Sequence, residues 1–137
     1  MEKDTQERLR TAWLRLPDEV RSPVATQEQL KSFEGRWGHI PEDCRWFLET
    51  LGGGPVGSEW IDDIAALGKS HAKWRQEFGP PAGWSLPMFV IGWDGGGNPI
   101  GIADSGEVVA EYHDGGGVAA LASSFAAFLE RGLLERQ

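Results

Sequence analysis

The chain has 137 residues, of which 40% are hydrophobic and 25% charged, and its formal net charge is −8 at pH 7. These totals are ordinary for a soluble globular protein that can bury one core. The excess of Asp and Glu repels nucleic-acid phosphates, which argues against direct nucleic-acid binding. The same charge attracts a basic protein partner, although acidity also simply keeps a protein soluble.

The cysteine content and the N-terminal residues indicate the compartment. The single cysteine, Cys44, cannot form an internal disulfide. The first ten residues are charged and lack the apolar region of a signal peptide, and no apolar run reaches the length of a membrane span. We therefore expect a cytoplasmic protein that binds neither a membrane nor a cofactor.

The first two thirds of the chain are predicted to be mainly helical. An apolar stripe predicts a helix over residues 3–16, and Thr26 with Gln29 forms a capping box for a helix that ends near residue 37. A third helix is predicted to start at residues 40–43, with Pro41 in its first turn, and to be stopped by the glycines at 52–54. Residues 56–61 fit either a short strand or the first turn of the next helix. The strand is favoured because Asp62 is predicted to cap that helix, which extends to Phe78.

The stretch from Met88 to His113 organises the rest of the fold. It reads as three strands, over residues 88–93, 100–103 and 108–113, which are joined by the tight connections DGGGN and DSGE. Alternation in the third strand predicts one face packed on helices and one partly wet face. Ser123 is predicted to cap a final helix, whose inward residues are Phe125, Phe128, Leu129 and Leu133.

The expected fold is α+β: a small antiparallel sheet of three to five strands with helices packed on it. Residues 1–137 are predicted to form a single domain, with an N-terminal helix and connector over 1–25 and a core over 26–137. A monomer or a weak homodimer is expected.

Residues that could carry out chemistry do not form a recognisable catalytic or metal-binding pattern. The glycine clusters lack the Lys-Ser/Thr or GxGxxG context of a phosphate loop, so they are interpreted as turns. The histidines have no HxxxH or HExxH spacing, and Cys44 lies on the inward face of a helix, as a small buried hydrophobe would. No metal site and no enzymatic activity are predicted, with a small hydrolase as a remote alternative.

Seven tryptophans favour a binding surface. Trp13 and Trp74 occupy apolar stripes and are predicted to be core residues. Trp60, Trp84 and Trp93 flank turns beside acidic residues, which is typical of protein-binding hot spots. The alternative is that these large side chains fill the core beneath long loops.

Two segments carry a family resemblance. The first is FEGRWGHIPEDCRWFLETLGGG, which has Gly, Ile-Pro-x-Asp-x-Arg-x-Phe-Leu and a Gly-Gly turn in order. The second is FVIGWDGGGNPIGIAD, followed by GEVVAEYHD and a Ser-Phe-x-x-Phe-Leu helix. Together they resemble the SUKH superfamily, which includes the yeast Smi/Knr-type cell-wall regulators, over about residues 33–130. The chain departs from the usual family pattern at two positions: Ile40 stands where Leu is usual, and Cys44 stands where a larger residue is common.

The resemblance implies a non-enzymatic protein that binds and neutralises a toxin, often a nuclease, in competition between bacteria. The alternative that it implies is a regulatory scaffold like the yeast proteins. It also implies that Pro41, Asp43, Gly52 and Gly53 shape a helix. Partner contact is predicted at the wet face and rim of the sheet, through Asp94, Asn98, Asp104, Glu107, Glu111, His113 and Asp114, with Trp60, Trp84 and Trp93.

Overall fold

A computed structural model describes residues 1–77, 87–112 and 117–135. Over these ranges the chain is a single α+β domain of five α-helices and one six-stranded antiparallel sheet. The helices are α1 (Lys3–Leu14), α2 (Gln27–Trp37), α3 (Glu42–Thr50), α4 (Ile64–Glu77) and α5 (Phe125–Leu133). The strands are β1 (Gly54–Val56), β2 (Glu59–Ile61), β3 (Met88–Trp93), β4 (Pro99–Ala103), β5 (Val108–Tyr112) and β6 (Gly117–Ala122).

The sheet is an open meander in which neighbouring strands follow chain order, from β1 to β6. The α+β class is confirmed, but the expected three to five strands were too few. The stretch 56–61 belongs to a hairpin, β1–β2, in which Pro55 pairs with Trp60. The sequence prediction missed β6, because a run of small apolar residues after glycines has no clear strand periodicity.

The helix ends confirm part of the capping pattern. The Thr26 hydroxyl accepts from the Gln29 amide at 3.1 Å, and the Gln29 side chain accepts from the Thr26 amide at 2.9 Å, which completes the predicted capping box. The predicted cap of α4 was wrong by one residue. Asp63, rather than Asp62, accepts the Ala66 amide at 2.9 Å.

The cap of α5 was also predicted one residue too early. The Ser124 hydroxyl, rather than that of Ser123, accepts the Ala127 amide at 3.0 Å. The inward residues that were predicted for α5 are all buried.

The main core is formed by the sheet together with buried side chains from all five helices. Trp13, Phe47 and Phe125 meet edge to face at its centre, with centroid distances of 5.6 Å and 5.8 Å. The buried side chains of Val108 and Ala110 close it from the sheet. Trp13 is thereby confirmed as a core residue.

The other face of the sheet carries a second apolar cluster. Met88, Val90 and Val109 are buried there, with Trp74 and Trp93 packed against them. Helix α4 lies over β3, and its His71 ring nitrogen is 2.9 Å from the Val90 carbonyl oxygen. The prediction of a partly wet face is therefore wrong for β5, since Val109 is buried.

The glycines after α3 allow a close backbone approach. Gly52 has φ +98°, and a Cβ there would overlap the Ser22 carbonyl oxygen. A Cβ on Gly53 would lie 2.6 Å from the Asp63 nitrogen. The Gly-Gly pair thus brings the connector after α1 and the start of α4 against one turn. Within the described ranges, none of the helices combines the length and the apolar character that crossing a membrane requires.

Candidate partner-binding surface

Trp60 and Trp93 lie side by side at one end of the sheet. Ile61 of β2 pairs with Gly92 of β3 in antiparallel register, so the residue before Ile61 lies opposite the residue after Gly92. A Cβ on Gly92 would be 2.7 Å from the Trp60 carbonyl oxygen, which shows how closely the two strands approach. The structure therefore brings together two of the three tryptophans that were predicted to contact a partner.

These two tryptophans differ in exposure. Trp60 is 51% exposed and is among the largest apolar side chains that reach solvent. Trp93 is half-buried, and its indole N–H donates to the Ser70 hydroxyl at 2.8 Å. The ammonium group of Lys73 lies 4.6 Å from the centroid of the Trp93 ring. Trp60 is thus available to a partner, whereas Trp93 is held in the fold.

Behind Trp93 lies a partly buried carboxyl group, Asp62. The Ser70 hydroxyl donates to Asp62 Oδ2 at 2.5 Å. Burial raises the pKa of Asp62 to about 6, the Ser70 hydrogen bond opposes this rise, and the charge of Asp63 adds to it. Asp62 therefore changes its charge near neutral pH and anchors the chain Asp62–Ser70–Trp93.

Asp94 and Asn98 are engaged in the β3–β4 turn. The Asp94 carboxylate accepts the backbone amides of Gly96 and Asn98, both at 2.9 Å, and the Asn98 side-chain amide at 3.0 Å. Gly97 has φ +84°, which suits glycine in a tight connection. The carboxylate of Asp94 primarily shapes this turn at the end of the sheet that carries Trp60.

Asp104 and Glu107 lie at the opposite end of the sheet. They border the β4–β5 turn, and consecutive hairpins of an antiparallel meander turn at alternate ends. Both residues are exposed, and β4 separates them from the Trp60 end by about 16 Å. A single compact contact at either end does not include all four of the predicted polar residues Asp94, Asn98, Asp104 and Glu107.

Glu111 is not on a wet face, which corrects the prediction. Its exposed fraction is only 5%, burial raises its pKa, and within the described part of the chain its Oε1 atom has no hydrogen-bond partner. The alternation along β5 was read correctly, but both Val109 and Glu111 are buried on that side of the strand. Charge reversal at Glu111 is therefore a perturbation of the fold. The remaining predicted contacts, Trp84, His113 and Asp114, lie outside the described residues.

A groove of about 700 Å³ with a mixed polar and apolar lining lies between the two edges of the sheet. It is lined by the β1–β2 hairpin, by Ala120 and Leu121 of β6, and by Phe128 and Arg131 of α5. Glu59 of β2 lines the same groove. The groove could not be predicted from the sequence, because it exists only where α5 packs against both β1 and β6.

Among the described residues, Cys44 and His71 are buried. Within residues 1–77, 87–112 and 117–135, no three His, Cys, Asp or Glu side chains are grouped closely enough to hold a metal ion. Cys44 is buried, which strongly raises the pKa of its thiol. Burial also lowers the pKa of His71 to about 4, so its imidazole is neutral at pH 7. These groups contribute to packing.

The fold and this surface define a small α+β domain with an exposed tryptophan at one end of its sheet and a groove lined by β1, β2, β6 and α5. Residues 24–131 match the SMI1 / KNR4 family (SUKH-1), so the chain belongs to that family. This confirms the resemblance drawn from the two sequence segments. The family is generally non-enzymatic and interacts with proteins. No curated protein sequence matches the chain.

Proposed function

We propose that this protein is a cytoplasmic, non-enzymatic immunity protein that binds and neutralises a cognate toxin, a basic nuclease delivered between competing bacteria. Membership of the SMI1 / KNR4 family supports a protein-binding role. The observation that carries the proposal is the exposed Trp60 at the end of the sheet. A tryptophan that is 51% exposed provides the large contact area that is typical of an interface hot spot.

The charge of the chain supports a basic partner. At a net charge of −8, the protein attracts cationic proteins over long range and accelerates their encounter. A nuclease has a basic surface where it contacts nucleic acid, so an acidic inhibitor is complementary to it. Glu59, which precedes Trp60 in β2, adds a carboxylate that lines the groove. The association rate is therefore expected to fall as the salt concentration rises.

The proposal is tested by co-expressing the protein with the large protein encoded beside its gene. We expect the protein to restore growth to cells that produce this neighbour and to be retained with it in a one-step pull-down. Replacing Trp60 with alanine is expected to weaken binding by at least about thirtyfold, which corresponds to the loss of about 2 kcal/mol at a hot spot.

Leu14 provides the matched control. It is 60% exposed and lies on α1, so Leu14→Ala also removes a solvent-exposed apolar side chain. We expect this variant to bind as the unmodified protein does. If growth is not restored, the proposed immunity role is contradicted. If Trp60→Ala and Leu14→Ala lose equal binding affinity, the proposed surface is contradicted.

The second candidate is a regulatory scaffold that binds an endogenous protein. The family description, which names SMI1 and KNR4, favours it, because the resemblance implies cell-wall regulation for the yeast members. The same exposed Trp60 would serve such an interface. A gene neighbour with a housekeeping role, together with retention of its product but no rescue from toxicity, would favour the scaffold.

A further inference from the structure

The two edges of the sheet are protected very differently. An unpaired edge strand offers free backbone N–H and C=O groups, and natural proteins block such edges with prolines, charges or short strands. β1 is only three residues long and contains Pro55. In addition, the Ser22 amide donates to the Gly53 carbonyl at 2.8 Å, just before this strand. The β1 edge is therefore closed to another strand.

The β6 edge has almost none of these protections. Its sequence, GVAALA, contains neither a charge nor a proline, and it spans six residues. Val118 is 49% exposed, and Gly117 and Ala120 are also exposed. Among the described residues this strand pairs only with β5, so every second residue directs its backbone groups away from the sheet. Backbone groups and small apolar side chains thus face outward together.

The C-terminal end of β6 is not available to an added strand, and this limits the length of the open edge. The register with β5 shifts at Leu121, and the Leu121 carbonyl accepts a hydrogen bond from the Arg131 guanidinium at 2.7 Å. The open part therefore covers residues 117–120, about 13 Å of extended chain. This length suits a short added strand.

We infer that the open edge of β6 docks an extended segment of the basic protein partner, which joins the sheet as a seventh strand. This inference rests on the proposed function and names how the partner binds. Main-chain hydrogen bonds along residues 117–120 give the affinity, and alternate side chains of the segment enter the neighbouring groove.

The charges favour a basic segment over a second copy of this chain. Among the described residues, the groove is lined by one carboxylate, Glu59, and by one guanidinium, Arg131, which is already bonded to the Leu121 carbonyl oxygen. Glu59 accepts a hydrogen bond from the Ser58 hydroxyl at 3.3 Å, and a Lys or Arg in the incoming segment would pair with this carboxylate. Two copies of this chain would instead bring together two net charges of −8, which repel each other.

The test uses a short synthetic peptide of alternating valine and lysine, followed by amide chemical shifts and hydrogen exchange of the protein. We expect shift changes and slowed exchange at residues 117–120 and none at β1. The peptide is also made with N-methyl groups on every residue, which removes the N–H donors of both peptide edges. This form is not expected to bind, because strand addition uses the N–H groups of the edge that faces β6. Equal binding of the methylated and unmethylated peptides would overturn strand addition.

Val118 and Val24 provide a matched pair of variants, because each is 49% exposed. Val118→Lys is expected to weaken peptide binding by about tenfold more than Val24→Lys does, since only the former places a charge on the docking edge. Equal losses of peptide affinity in the two variants would refute the inferred occupant. A concentration-dependent dimer in sedimentation that Val118→Lys abolishes would also refute it.

Failure of this inference is distinguishable from failure of the proposed function. If the neighbouring toxin is neutralised but no peptide binds β6, the immunity role stands and strand docking is wrong. If the peptide adds to β6 but no toxin is neutralised, the docking edge stands and immunity is wrong.

Discussion

Replacing Asp62 with asparagine is expected to stabilise the protein at neutral and alkaline pH. The carboxyl group is partly buried at the start of α4, where it accepts a hydrogen bond from Ser70. An asparagine keeps a side-chain oxygen that can accept the same bond. The substitution therefore removes the charge while it preserves the link from Ser70 to Trp93.

The magnitude and the pH dependence follow from the pKa. The pKa of Asp62 rises from an ordinary value of 3.8 to about 6 in the folded protein, because burial disfavours the ionised form. Between these values the folded state binds more protons than the unfolded state, so stability falls as the pH rises. Since each pKa unit corresponds to about 1.4 kcal/mol, the ionised carboxylate costs the folded state up to about 3 kcal/mol.

The assay is urea unfolding, followed by tryptophan fluorescence across the pH range. Asp62→Asn is expected to match the unmodified protein below about pH 4 and to exceed its unfolding free energy by up to about 3 kcal/mol above about pH 7. Asp63→Asn removes the same charge from the neighbouring residue, and asparagine also caps helices well, so little change is expected there. A variant that is less stable at alkaline pH, or a difference that does not depend on pH, would refute the reasoning.

Three further substitutions test the structure by urea or thermal unfolding. Glu111→Gln is expected to raise stability increasingly above pH 4.5, the ordinary pKa of this carboxyl group, because burial raises that pKa in the folded state; a gain that shrinks as pH rises would contradict this. Gly52→Ala should cost at least about 2 kcal/mol, since φ is +98° and the new Cβ meets the Ser22 carbonyl; a neutral effect would show that the turn can move. Thr26→Ala should cost about 1 kcal/mol through loss of the hydrogen bond to the Gln29 amide, and an unchanged melting temperature would count against the capping box.

The candidate surface was predictable only in part. Exposure of Trp60 was expected because the residue stands beside turn-forming and acidic positions, and a strand over 56–61 was already favoured. The burial of Glu111 was not predictable from alternation, because the pattern separates two faces without showing what covers each. The engagement of the Asp94 carboxylate in its own turn agrees with the glycine-rich connection, but its hydrogen bonds require coordinates.

The sequence by itself determined the local structure and the family. Capping residues, apolar stripes and glycine turns act over a few neighbouring positions, so Thr26, the strand at Met88–Trp93 and the inward face of α5 could be predicted from the sequence. Only the tertiary structure decided where the two sheet edges meet α5, because contacts between residues distant in the chain set that packing. The groove, the open edge of β6 and the burial that raises the pKa of Asp62 all depend on such contacts between distant residues.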